Sequence, residues 1–431
     1  MPFVNVVHVL TFGVLIATVV LVIWPPRPLN EGIVALLGAA CVLVLGTATF
    51  ADVWRAISDT AGILVFLVAM MVVAVIAEEA GCFDWAAHRA VTLSRGHGRL
   101  LFLNLYLLGA LVTIFLSLDV TAIMIAPIVC ALLRRSRLSP LPFVLGCAYV
   151  ANTASLFLPM SNLTNMLVYS LLQVPFWAFV RLMTLPNLAA MLVNLLVFFA
   201  RFRRQIPSRL IAVDDDAQSP VPASKDRSNL GLTALGLALV VGALLLAGAL
   251  GLPLYLPALV GALVMGGAAV AAGRVRPRRL AAGIAWPLPL FVVGMYTVVV
   301  ATNRVGLAAP WQALLTFAGS PPSLVGLIAV AFGTALGANL VNNLPMSLVA
   351  ITGLGRIGNS GGTALAFASL IGTNVGPNVT IFGSLATMLV LQAARRNGIR
   401  VSPIDYLMVG LLTTPLMLLA ATLTLWLLVR G

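Results

Sequence analysis

The residues able to do chemistry in this chain fall into four short clusters. Ser117, Asp119 and Thr121 form the first, and Asn152, Thr153, Ser155, Ser161, Asn162, Thr164 and Asn165 surround Leu158-Pro159-Met160 as the second. Asn339, Asn342, Asn343 and Pro345 form the third, and Thr373, Asn374, Asn378, Thr380 and Ser384 surround Gly376-Pro377 as the fourth. Together they offer amide and hydroxyl hydrogen bonds and a single carboxyl, Asp119. Each cluster interrupts apolar sequence, where a polar group without a partner costs several kcal/mol. Helix breaks at such places leave free N–H and C=O ends that can point into a shared cavity. Candidate binding residues are therefore Ser117, Thr121, Asn152, Thr153, Ser161, Asn162, Asn165, Asn342, Asn343, Thr373, Asn374, Asn378 and Ser384. Asp119 is the candidate proton-coupling residue, because a carboxyl at mid-membrane is a functional group by default. Two plainer roles compete: Ser, Thr and Asn also tie membrane helices together, and Asp119 could cap the amides of its own turn.

Other chemistry finds little support. Cys41, Cys82, Cys130 and Cys147 form no CxxC and no Cys/His metal spacing. His8, His88 and His97 lie near span ends, and no metal triad or activated nucleophile is legible. The reading is a non-enzyme without cofactor or metal.

The elements that position these clusters follow from composition. Of 431 residues, 61% are hydrophobic and 9% charged, against about 25% charged in soluble domains. Many apolar stretches reach the ~20 residues that cross a bilayer. The first, 7–24, lacks a basic segment before it and is too long for a cleaved leader. The net charge of +13 sits in short clusters between spans, the mark of cytoplasmic loops rather than of nucleic-acid binding. Arg95 and Arg99, Arg134, Arg135 and Arg137, Arg201, Arg203, Arg204 and Arg209, Arg274, Arg276, Arg278 and Arg279, and Arg395, Arg396 and Arg400 are placed inside.

That placement dictates a path. Spans 7–24, 31–49 and 61–79 run inward, outward and inward, with 50–60 as an external loop and Glu78 and Glu79 as interfacial acids. Residues 100–116 and 120–133 both end at cytoplasmic arginines. They form either two spans or, as the short second arm favours, one re-entrant hairpin whose tip holds Asp119. Residues 141–174 run outward with a break at 158–162, and 176–200 return. Residues 205–228, with Asp214, Asp215, Asp216 and Lys225, are a polar linker. Spans 229–250, 253–272 and 283–302 then repeat the pattern upside down. A hairpin at 322–353, a broken helix at 363–394 and a last span at 404–428 follow. Both termini fall outside, and Arg304 and Arg356 are read as external surface residues.

The expected fold is an all-α polytopic membrane protein of two inverted-topology repeats, 1–204 and 229–431, joined by 205–228. Each has three spans, a re-entrant hairpin, a broken helix and a final span, about ten full spans and two hairpins in all. Weak identity supports the repeat. Asn152 matches Asn374, Leu163 matches Leu385, and Met166-Leu167-Val168 matches Met388-Leu389-Val390 at one offset; Asp119-Val120 matches Asn342-Asn343 at an offset one longer. Paired interrupted helices of this kind mark the binding site in many secondary transporters.

The same residues carry a family resemblance. Asp119-Val-Thr-Ala-Ile-Met-Ile-Ala-Pro-Ile-Val resembles the first hairpin of the ArsB-type arsenite/antimonite permeases, within the ArsB/NhaD group of the ion transporter superfamily. Pro159-Met-Ser-Asn-Leu-Thr-Asn, Leu340-Val-Asn-Asn-Leu-Pro-Met and Gly383-Ser-Leu-Ala-Thr-Met-Leu are similar to three further motifs of that family, so the likeness covers most of the chain. Two departures stand out. Leu118 replaces an Asn usual at the tip, and Asn374-Val-Gly-Pro-Asn replaces a stretch that often carries an acid. The resemblance implies export of trivalent arsenic or antimony hydroxides in exchange for protons, across the cell inner membrane, sometimes with a soluble ArsA-type ATPase partner; a homodimer is compatible with it. A neutral hydroxide suits a ring of Asn, Ser and Thr better than a trithiolate trap does. The runner-up is a sodium/proton antiporter using Asp119, with a dicarboxylate or other oxyacid carrier, an enzyme and a channel behind it.

Overall fold

The computed structural model describes residues 2–24, 26, 28–135, 138–171, 173–208, 227–306, 308–319, 322–354 and 362–430. Arg137, Arg209, Arg356, Asp214–Asp216, Lys225 and the linker over 209–226 lie outside them.

All regular structure among the described residues is helical. Helices α1 (Pro2–Ile23), α2 (Glu31–Val44), α3 (Phe50–Glu79) and α4 (Cys82–Leu93) come first. A hairpin follows, with α5 (Gly98–Phe115) as one arm and α6 (Leu118–Val120), a π-helical turn (Thr121–Ile125) and α7 (Ala126–Arg135) as the other. The first broken helix is α8 (Leu141–Ala154), a 3-10 turn at Pro159–Ser161 and α9 (Leu163–Leu171), and α10 (Phe176–Arg201) closes this half.

The order then recurs: α11 (Arg227–Ala249), α12 (Tyr255–Ala271), α13 (Pro277–Gly283), α14 (Pro287–Arg304) and α15 (Ala309–Ala318). The second hairpin is α16 (Leu324–Val341) and α17 (Asn343–Leu354). The second broken helix is α18 (Gly362–Val375), a 3-10 turn at Gly376–Asn378 and α19 (Leu385–Arg396), and α20 (Pro403–Arg430) ends the chain. The packing repeats with the order: α2 lies on α14 as α12 lies on α3, α5 lies on α8 as α16 lies on α18, and α10 and α20 pack together.

This is an all-α polytopic membrane protein. Eight helices among the described residues are long and apolar enough to cross a bilayer, including the first arm of each hairpin. The ten expected spans are thus of unequal kinds. Six are long continuous helices, two are the broken helices, and α2 and α12 are short at 14 and 17 residues.

The expected external loop at 50–60 is corrected. It is the first third of α3, a helix of 30 residues. Its start carries a reciprocal cap: the Thr49 amide donates to Asp52 Oδ2 at 2.7 Å and the Asp52 amide donates to Thr49 Oγ1 at 3.3 Å. Arg304 is exposed, as expected, and is also paired: its guanidinium donates to both oxygens of the buried Asp52 carboxylate at 2.8 and 2.5 Å and to the Thr47 carbonyl at 3.2 Å. At the other end of α3, Glu78 and Glu79 accept from Arg279 at 3.4 and 2.5 Å. Helix α3 is therefore antiparallel to the consecutive helices α13 and α14, tied to α13 at its Glu78-Glu79 end and to α14 at its Asp52 end. Arg304→Ala leaves the buried Asp52 without its counter-charge. With the guanidinium half exposed, we expect a loss of about 1–3 kcal/mol, seen as a lower unfolding midpoint in detergent.

Candidate functional site

Both hairpin tips and both helix breaks converge, as the four polar clusters require. At the first tip the chain turns at Leu116-Ser117, and Ser117 Oγ accepts the Val120 amide at 3.2 Å. Ser117, not Asp119, is the local cap. Thr121 Oγ1 lies 2.8 Å from Thr113 Oγ1 across the hairpin, and Ser161 Oγ donates to the Ile114 carbonyl at 2.7 Å. These three hydroxyls fasten the tip rather than face a solute. The π-helical turn that follows is the kind of helix defect often found at functional sites. Asp119 is buried at 6% exposure, and among the described residues no donor or cation engages its carboxyl.

At the second tip Asn342 takes φ 78°, a left-handed value that favours glycine and costs about 1–3 kcal/mol elsewhere. Its side chain compensates: Nδ2 donates to the Phe382 carbonyl at 3.1 Å, while the Asn343 amide donates to the Gly383 carbonyl at 3.0 Å. The tip is thereby pinned to the second break. Asn339 adds to this, donating to the Gly376 carbonyl at 2.8 Å and accepting from Thr380 Oγ1 at 2.7 Å. Asn342→Gly relieves the strain but cuts the pin. We expect little change in unfolding midpoint and a severalfold fall in transport rate, checked by melting and vesicle uptake on one preparation.

The two breaks interlock directly. Asn374 Oδ1 accepts from Asn162 Nδ2 at 2.7 Å and Thr164 Oγ1 at 2.6 Å, and Asn374 Nδ2 donates to Asn165 Oδ1 at 2.5 Å. Asn165 Nδ2 in turn donates to the Ser155 and Leu158 carbonyls freed by the break, at 2.7 and 2.9 Å. From the other side Asn152 Nδ2 donates to Asn378 Oδ1 at 3.0 Å and Thr387 Oγ1 at 2.9 Å, and Asn378 Nδ2 donates to Thr153 Oγ1 at 3.2 Å. The close approach needs small residues: a Cβ at Gly372 would strike Thr334 Oγ1 and the Ala331 carbonyl, and one at Gly376 would strike Ala335.

Of the expected residues, Thr373 stays within its own helix, its hydroxyl donating to the Leu370 carbonyl at 3.4 Å. Ser384 Oγ is buried without a partner among the described residues. It lines a cavity of about 30 Å3 with Asp119, Asn162, Thr164, Asn343 and, from α14, Leu288 and Phe291. A second cavity of about 10 Å3 also has Asp119 in its wall, with Ser117, Phe66, Met70, Met71, Met160 and Met166. Asp119 thus lines two spaces of about the size of a water molecule. None of the four cysteines lines either space, and no group of His, Cys, Asp or Glu among the described residues could hold a metal ion.

Sequence reasoning missed Thr387, Leu288, Phe291 and the methionines. Thr387 carried a usable signal, since it stands to Asn165 at the same offset that relates Asn374 to Asn152, and Ser384 stands so to Asn162. The apolar wall carried none, because Leu, Phe and Met on a spanning helix look alike whether they face lipid or a cavity.

Comparison with known proteins agrees with this architecture. A family model described as ArsB, arsenical pump membrane protein, matches residues 10–428. The chain is 30% identical over 412 residues to the arsenical pump membrane protein of Escherichia coli K12, covering 93% of this chain and 94% of that one. It is 24% identical over 427 residues to a putative arsenical pump membrane protein of Bacillus subtilis, with 93% and 95% covered. Among solved structures it resembles the crystal structure of the YdaH transporter of Alcanivorax borkumensis, at a TM-score of 0.57 and 15% identity over 99% of this chain and 98% of that one. It also resembles MtrF of Neisseria gonorrhoeae, described within a class of antimetabolite efflux pumps, at 0.53 and 15% over 98% and 94%. At that identity the two structures bear on the fold alone.

Proposed function

Since the chain belongs to the ArsB family of arsenical pump membrane proteins and is a membrane transporter rather than an enzyme, we propose that it exports trivalent arsenic or antimony hydroxides from the cytoplasm in exchange for protons, by alternating access. The two halves, 1–204 and 229–431, are on this reading inverted repeats joined by the linker 205–228. The membrane is the cell inner membrane, with both termini outside. A soluble ArsA-type ATPase and a second copy of the chain are compatible partners.

One observation carries the reading. Two hairpin tips and two broken helices meet in an interlocked set of amides and hydroxyls, beside the buried Asp119 carboxyl, which has no counter-charge among the described residues. The neutral groups suit a neutral hydroxide, which can trade hydrogen bonds with Asn162, Thr164, Asn343 and the unpartnered Ser384 hydroxyl. Asp119 suits the proton, because a buried carboxylate is costly until it binds a proton or a cation. Near 30 Å3 the cavity admits a water-sized guest, so a metalloid hydroxide enters only when the lining parts. That is what alternating access demands of a closed state.

Everted vesicles under an imposed pH gradient, offered arsenite, antimonite and sodium in parallel, test this. Metalloid accumulation that follows the gradient supports it; gradient-driven sodium flux without metalloid accumulation selects the sodium/proton antiporter instead.

A further inference from the structure

Asp119 is not the chain's only carboxyl within the membrane. Helix α3 acts as a depth gauge. Its 30 residues make about 45 Å of helix, the thickness of a bilayer with its headgroups. The ion pairs at Asp52 and at Glu78 and Glu79 mark its two ends. The midpoint falls near Leu64-Val65, so Phe66 and Met70, which wall the cavity beside Asp119, lie near mid-membrane. Asp59 is then about 8 Å from the midpoint, inside a hydrocarbon half-thickness of about 15 Å.

Asp59 also faces the site's own seam. Asp59, Ile63, Phe66 and Met70 follow one another at helical spacing on one face of α3. Tyr296, Val292 and Leu288 do the same on α14, where Leu288 lines the cavity of Asp119. Between the two stripes Tyr296 Oη donates to Asp59 Oδ2 at 2.7 Å. That phenol is the one hydrogen-bond partner of the half-buried carboxylate among the described residues. A carboxylate at this depth without a direct ion pair marks a functional site by default.

We propose that Asp59, with Tyr296 as its hydrogen-bond donor, is a second proton-binding station, between Asp119 and the membrane face opposite the arginines at 274–279. The inference rests on the proton-exchange reading above. The carboxylate takes a proton from water on that face and gives it up as the cycle proceeds. Along α3 the buried Ile63 and Phe66 stand between Asp59 and the wall of the Asp119 cavity, so a proton passes between the stations only when the seam admits water or shifts. The other charged and titratable groups here are Arg55, four residues before Asp59 on α3, Tyr255 of α12, whose ring lies against Gly62, and the Asp52–Arg304 pair. Helix α17 carries no ionisable residue, α9 carries Tyr169, and α1 and α2 carry His8, Glu31 and Cys41.

Infrared titration of the purified protein in lipid tests the station without reference to substrate. Asp59→Asn is expected to remove one titrating carboxylic-acid carbonyl band, Tyr296→Phe to move that same band, and Asp119→Asn to remove a different one. An unchanged set of bands in Asp59→Asn overturns the proposal. In everted vesicles Asp59→Asn is expected to slow gradient-driven arsenite uptake at least tenfold, and Asp59→Glu to recover part of it with a displaced pH profile. Wild-type driven uptake in Asp59→Asn overturns the second station and leaves the exchange reading standing. Uptake by the unaltered protein that ignores the pH gradient overturns the exchange reading itself, and the infrared bands then decide the fate of Asp59.

Discussion

With Asp119→Asn, everted vesicles carrying a pH gradient are expected to lose arsenite accumulation altogether. One proton exchanged per solute is worth about 1.36 kcal/mol per pH unit, which is about a tenfold accumulation ratio at zero membrane potential. Without the titratable group the ratio falls to about one, however fast the solute equilibrates. The same substitution is expected to leave the unfolding midpoint within the range of a neutral surface change, about 0.5 kcal/mol. The physical reason is that no donor or cation engages the carboxyl among the described residues, and the turn is capped by Ser117 instead. A structural role predicts the reverse pattern, lost stability with accumulation retained in whatever protein folds. Asp119→Glu keeps the titration but pushes one methylene into a cavity of about 30 Å3, so partial accumulation at a reduced rate is the expected result.

The second large effect concerns Asn374. Its amide closes three hydrogen bonds to the opposite half of the chain, to Asn162, Thr164 and Asn165. Asn374→Ala strands the Thr164 hydroxyl and Asn165 Oδ1 and leaves Asn162 Nδ2 only its 3.2 Å donation to Ser155 Oγ. Leaving a buried group unpaired costs about 1–3 kcal/mol in soluble proteins, while measured bonds between membrane helices average about 0.6 kcal/mol. Unfolded chains in a membrane find other partners, so a total of about 2–5 kcal/mol is expected here, together with loss of transport. The symmetric residue should matter less. Asn152 loses only donations, and the Thr387 hydroxyl it leaves lies 3.4 Å from Tyr406 Oη, where it has an alternative partner. Thermal unfolding of Asn374→Ala, Asn152→Ala and the Asn374/Asn165 double-mutant cycle checks both claims. Equal losses at 374 and 152, or additivity within the cycle, would show that the break-to-break bonds are not the cement described here.

The two experiments separate holding the site together from working it. Asn374 belongs to the frame, whose partners are all protein atoms. Asp119 is the residue proposed to carry the proton, and its carboxyl has no partner among the described residues. Ser384 is likewise a buried hydroxyl without a partner among the described residues, on the wall of the same cavity.

Much of this was legible in the residues. Apolar length, the arginine clusters and the prolines at 159 and 377 place the spans, the hairpins and the breaks within a few residues of their observed ends. These are local effects: hydrocarbon demands about 20 apolar residues, and proline removes a backbone donor wherever it falls. The repeat offset even points from Asn165 to Thr387. What sequence misjudged was the start of α3, read as a loop over 50–60. Its two carboxylates, Asp52 and Asp59, are satisfied by Arg304 and Tyr296, more than two hundred positions away. Sequence fixes which polar groups must be buried, because hydrocarbon leaves them no water. Only the tertiary structure decides which partner each one finds: Asn374 meets Asn165, Asp52 meets Arg304, and Asp119 meets none among the described residues. Pairing is a matter of distance across packed helices, and distance between remote residues is not written in their order.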